Sequence, residues 1–157
     1  KNKKWDIDVF AGSECDILND GSLDYDNEIL KKLDWVVGSI HQNLEGDQTE
    51  RILKAIENEN MDVLGHATGR RLLIREGYYV DWSKVLSKLS QTNIALEINA
   101  NPERLDVNAT VAREASSLGI KLSLNTDAHS INHLDFMKMA VNQARRAGLD
   151  KSSLLNL

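Results

Sequence analysis

The chain has 157 residues, enough for one domain with a substantial core and too few for several. Apolar content of 41% and charged content of 27% lie near globular averages, which excludes an intrinsically disordered chain. The formal charge of −5 excludes a broad basic surface for nucleic acid, so any phosphate ligand must be met locally, by metal ions or a few arginines.

The chain opens with KNKKWDIDVF, which lacks the apolar core of a signal peptide, and no later stretch has the roughly 18 apolar residues of a membrane span. A cytoplasmic protein with no membrane partner is expected. The first strand is predicted over Ile7 to Ile17 and carries Cys15, the single cysteine; an internal disulfide and a thiolate metal cluster are both excluded. Nitrogen and oxygen ligands must hold any metal. A short helix is expected over Asp26 to Leu33, then a strand over Asp34 to Ile40. Ile52, Leu53 and Ile56 give helical spacing to Thr49 through Glu57, and MDVLG at Met61 to Gly65 reads as a third strand.

Asp81 stands where a helix cap is expected before Trp82, Val85, Leu86 and Leu89, so a helix is predicted to Ser90. A fourth strand follows at Ile94 to Ala100. Val107, Val111, Ala115 and Leu118 share one helical face, and Gly119 is the residue expected just past that helix. KLSLNT, Lys121 to Thr126, is the fifth strand, and a last helix from His133 to Ala147 aligns Leu134, Met137, Val141 and Ala144. Trp5, Trp35 and Trp82 fit core or strand positions. The alternation of short apolar runs with helical segments predicts an α/β fold with a mostly parallel sheet.

Polar residues recur at the strand ends of this map. Glu14 lies late in its strand, His41 follows DWVVGSI, His66 follows MDVLG, Glu97 and Asn99 end IALEINA, and Asp127 and His129 follow KLSLNT. In parallel β/α folds the strand C-termini face one side, and in barrels that side carries the active site. Residues spread over more than a hundred positions are therefore expected at one mouth. An eight-unit barrel needs about 250 residues, so about five β/α units of an incomplete TIM-like barrel are expected here.

Asp127-Ala128-His129 allows three readings: two metal ligands, an acid orienting a base, or a cap on the following helix. No serine or cysteine stands in a nucleophile elbow, which favours ligands. A set of His, Asp and Glu suits zinc, manganese or iron. His133, with no strand before it, reads as structural. Arg70 and Arg104 are tied to strand ends by short turns and are candidates for phosphate binding, as is Asn99, which shares strand parity with Glu97. GxGxxG and P-loop motifs are absent.

GSECDILNDGSLD, VVGSIH, DVLGHATGRRLL, ALEINANPERLD, NTDAH and ARRAGLDKSSLLN together resemble the PHP family, the polymerase and histidinol phosphatase domain. The resemblance is strongest to the C-terminal PHP domain of bacterial and archaeal family X DNA polymerases. It implies a distorted (β/α)7 barrel with up to three divalent metal ions, manganese or zinc. It also implies Glu14, His41, His66, Asp127 and His129 as metal ligands, with Asp127 also orienting a water nucleophile. The implied activity is hydrolysis of DNA 3′ ends, as a 3′-5′ exonuclease, a 3′-phosphatase or an abasic-site nuclease, in a polymerase that supplies the grip on DNA. The family's upstream His-x-His motif has no match before Glu14, so residues 1–157 are expected to be the C-terminal two thirds of the domain, inactive or weak without the rest. Two other readings stand: a small-molecule phosphatase of the histidinol-phosphate type, and a non-catalytic scaffold that self-associates through an open barrel edge.

Overall fold

The computed structural model describes residues 7–156. Five strands form one parallel sheet in chain order: β1 (Gly12–Asp16), β2 (Trp35–Ser39), β3 (Val63–Leu64), β4 (Ala95–Asn99) and β5 (Leu122–Asn125). Between them run α1 (Asn27–Leu30), α2 (Thr49–Ala55), α3 (Trp82–Leu89) and α4 (Ala109–Ser117); α5 (Met137–Ala147) follows β5. The order never reverses, so successive crossovers pass over one face, and α2, α3, α4 and α5 pack side by side along it. Helices along one face set it apart from a doubly wound sheet, and the arrangement is consistent with a partial TIM-like fold.

Alternation along the strands gives the two faces different chemistry. Cys15, Val36, Leu64, Leu96, Ile98, Leu122 and Leu124 are buried in the core cluster. The alternate residues include Glu14, Ser39, Glu97, Asn99, Ser123 and Asn125, and these polar side chains mark the opposite, inner face.

Helix ends follow local chemistry. The Asp81 carboxylate accepts hydrogen bonds from the Ser83 and Lys84 amides, as its position before α3 predicts. Helix α4 starts two residues later than expected because Asn108 caps it through Thr110 and Val111; Val107 is left buried ahead of the cap. Gly119 takes φ +80° just past α4, as expected of a helix end.

Three expectations need correction. The first strand pairs only over Gly12–Asp16, because Asp34 closes its start by accepting the Ala11 amide; Ile7, Val9 and Phe10 are exposed. The last helix is split into a 3-10 segment, Ile131–Phe136, and α5. Of the expected stripe, Ala144 is buried and Met137 and Val141 pack against the core, joined by Ala140 and Ala147, whereas Leu134 is exposed, because the 3-10 pitch turns the first part of the stripe away. Trp35 and Trp82 lie in β2 and α3 as expected, and Trp5 lies outside the described residues.

The closing segment also has a structural place. Leu154 bridges Leu122 in parallel, the Leu155 amide donates to the Leu122 carbonyl at 2.9 Å, and the Asn156 side chain pairs with both backbone groups of Leu124. It covers part of the outer edge of β5. Among the described residues no helix is long and apolar enough to cross a membrane.

Candidate metal centre

Glu14 stands on the polar face of β1, and His41 and His66 follow β2 and β3, so three neighbouring strands deliver them to one point. His66 Nε2 lies 2.8 Å from Glu14 Oε1 and His41 Nε2 lies 3.4 Å from the same oxygen. One donor atom from each residue falls within 4.8 Å of the other two. The two imidazole rings meet edge to face, with centroids 5.1 Å apart.

The sequence around His66 is built for this approach. A side chain at Gly65 would collide with Ser39 Oγ and Val37 Cγ1, so glycine is required there for β2 and β3 to close. His66 then takes φ +22°, and its amide donates to Glu97 Oε2 at 2.6 Å. The ring is 2% exposed and its Nδ1 has no partner among the described residues.

Charge is concentrated here. Hydrogen bonds from His41, then His66, hold the Glu14 carboxyl far below the ordinary carboxylate range against the opposing effect of burial. Pairing with Glu14 foremost, and with Asp16 as well, raises His41. Burial pushes Glu97 and Asp106 upward. One carboxylate and two imidazoles, the second with an unpartnered buried nitrogen, form a donor set that fits a divalent transition metal.

Asp127 belongs to the same mouth by a different contact. It shares a cavity of about 230 Å³ with Glu14, Trp35, Val37, Glu97, Asn99 and Asn125. Its Oδ2 lies 3.4 Å from both Asn99 Nδ2 and Arg104 Nε. No backbone amide among the described residues donates to its carboxylate, and its φ is +52°, so the cap reading is not what the structure has. His129 is 75% exposed, with Nδ1 2.9 Å from the Asp127 carbonyl and 3.6 Å from Oδ1. The structure therefore gathers Glu14, His41 and His66 and sets Asp127 beside them, while His129 points outward. His133 is structural, as expected: its Nδ1 accepts the His129 amide and its ring stacks on Phe136.

The candidate phosphate ligands separate. Arg104 is at the mouth, paired with Asp127. Arg70 instead donates to the Arg104 and Leu105 carbonyls, which makes it a clamp between two loops. Asn99 is buried and spends its amide hydrogens on Glu97 and Asp127. Glu97, expected at the mouth from its strand-end position, and Asp16, outside the sequence-derived set, matter more. Glu97 accepts from His66, Asn99 and Asn125 at once. Asp16, hydrogen-bonded to His41 Nδ1, carried a readable signal: it follows Glu14 by two residues on one strand face.

The chain is similar to curated proteins over most of its own length. The chain is 39% identical over 151 residues to the DNA polymerase/3′-5′ exonuclease PolX of Bacillus subtilis, covering 94% of this chain and 26% of that protein. It is 34% identical over 140 residues to a probable phosphatase of Clostridium acetobutylicum, covering 81% of this chain and 54% of the relative. A probable phosphatase of a Thermoanaerobacter species is 29% identical over 163 residues, 96% of this chain and 64% of its own length. This chain is a PHP-type relative of these proteins. It spans about a quarter of the length of the polymerase and between half and two thirds of the phosphatases. No family model matches the chain.

Proposed function

We propose that this PHP-type chain contributes the C-terminal two thirds of a distorted (β/α)7 barrel that hydrolyses phosphoesters at DNA 3′ ends, with DNA presented by the polymerase of which the domain is part. The observation that carries the reading is the convergence of Glu14, His41 and His66 from three strand ends beside the Asp127 cavity. The likeness to PolX supports a DNA context.

Glu14, His41 and His66 would hold one divalent metal, manganese or zinc, and Asp127 and His129 complete the ligand set of a larger cluster. Such an ion supplies Lewis acidity, polarising a phosphoryl oxygen and acidifying water. The chain's own groups do the rest. Asn99 and Arg104 occupy Asp127 Oδ2, which leaves Oδ1 to orient the attacking water and accept its proton. His129 keeps its Nδ1–H on the Asp127 carbonyl, 2.9 Å away, and the proton taken up by Oδ1 is lost to solvent water. Arg104 sits where its guanidinium, released from Asp127, grips a phosphate oxygen of the substrate. The water oxygen bonds to phosphorus as the ester oxygen leaves and takes up a proton.

A histidinol-phosphate-type phosphatase is the second reading, favoured by the match to probable phosphatases. A 3′-recessed duplex and a small phosphate monoester, each assayed with manganese and with zinc, separate the two. We expect weak hydrolysis confined to the duplex, abolished in Asp127→Ala and lowered at least tenfold in Arg104→Ala. Turnover of the monoester alone would favour the phosphatase, and hydrolysis undiminished in Asp127→Ala would refute the site.

A further inference from the structure

We infer that Asp16 is a positioning residue for the metal centre: it binds His41 Nδ1–H and thereby fixes the tautomer that presents Nε2 to the cation. The inference rests on the metal reading of Glu14, His41 and His66 and names a residue outside that set.

The geometry comes from one strand. Glu14 and Asp16 are two residues apart in β1, so their side chains leave the same face, and β1 runs in register with β2 from Gly12 opposite Trp35 to Asp16 opposite Ser39. His41 follows β2 two residues past Ser39 and its ring falls between the two carboxylates. Asp16 Oδ1 is hydrogen-bonded to Nδ1, while Glu14 Oε1 lies 3.4 Å from Nε2. Protonated, His41 serves both acceptors; once deprotonated for metal binding, it has one hydrogen for the two. The Asp16 contact is a hydrogen bond and the Glu14 contact a 3.4 Å approach, so the hydrogen stays on Nδ1 and the Nε2 lone pair faces an anionic oxygen. Two lone pairs so opposed repel, and a cation between them removes the conflict.

The Asp16 carboxylate has little other employment. Its second oxygen takes a 3.4 Å contact from Gln42 Nε2. The bonds that hold β1 to the following turn use backbone atoms of Asp16: its amide donates to Asp24 Oδ1 at 3.0 Å and its carbonyl accepts the Asp24 amide at 3.0 Å. Substitution at position 16 therefore leaves strand and turn intact. A carboxylate on the far nitrogen of a ligand histidine orients the ring and raises its basicity, and losing one weakens metal binding by about 10–100-fold.

The test uses wild type, Asp16→Asn, Asp16→Ala and His41→Ala of the whole chain. Calorimetric titration with zinc chloride reads affinity, and nitrogen-15 NMR of the imidazoles at alkaline pH reads the His41 tautomer in metal-free protein. We expect Nδ1–H in wild type and Nε2–H, drawn to Glu14, in Asp16→Ala. Zinc affinity should fall about 10–100-fold in Asp16→Ala and less in Asp16→Asn, which keeps an acceptor for Nδ1–H. Equal affinity and an unchanged tautomer in Asp16→Ala would overturn the inference. So would a loss in Asp16→Asn as complete as in His41→Ala, since Asp16 would then be a ligand itself. Wild type that binds no zinc would refute the metal reading, while the tautomers would still decide what Asp16 does.

Discussion

Glu14 and His41 hold opposite halves of one stabilising pair, and pH separates them. The Glu14 carboxyl is depressed below its ordinary 4.5, so its contribution is present above that value and is lost as pH falls through the folded-state pKa. His41 is raised above 6.5, so its contribution is full below that value and is lost as pH rises through the raised pKa. Metal-free protein in EDTA should gain most from the pair between these two ordinary values. Melting temperature measured against pH should decline on the alkaline side, and His41→Ala should flatten that decline. With zinc present the limb should turn upward, because binding requires the deprotonated imidazole. A decline of equal size in His41→Ala would place its origin elsewhere. The ligand types at this scale were legible in the sequence because each follows an apolar run; the bracketing of His41 by Asp16 was not, since it depends on the register of β1 against β2.

Strands and helices matter through their ends. Asp81 was readable as a cap from sequence, and Asp81→Ala should cost about 1 kcal/mol by urea denaturation without changing zinc affinity, because α3 lies on the helical face of the sheet. Asp106 was not readable. It is fully buried and accepts the Thr68 amide at 2.9 Å and hydroxyl at 2.7 Å, joining the loop after β3 to the loop after β4. Asp106→Ala leaves those donors unmet, at about 1–3 kcal/mol, and frees the loop that carries His66. We expect that variant to lose both urea stability and zinc affinity, whereas a stability loss alone would show the loop to be independent of the centre. In the last helix the inward positions Met137, Val141 and Ala144 were legible and Leu134 was not, because a 3-10 start and an α-helical continuation share no single period.

The molecule as a whole divides its labour between the two faces of one sheet. One face of the sheet is aliphatic and packed under helices; the other is polar and carries the chemistry. Leu96, buried in the core from β4, neighbours Glu97 in sequence and faces the opposite way. Leu96→Ala should cost about 2–5 kcal/mol, with the remaining folded protein still binding metal. Five strands in a parallel sheet were legible because short apolar runs alternate with helical segments. Three-dimensional closeness was less so: five ligands implied as one cluster by resemblance resolve into a triad, an adjacent acid and an outward histidine.

Calorimetric titration of EDTA-stripped protein with zinc asks whether Glu14, His41 and His66 form a metal centre. Wild type should show saturable binding with proton release, lost in Glu14→Gln and in His66→Ala while both variants stay folded by circular dichroism. Wild-type protein that takes up no zinc and no manganese, or binding that survives both substitutions, would contradict it.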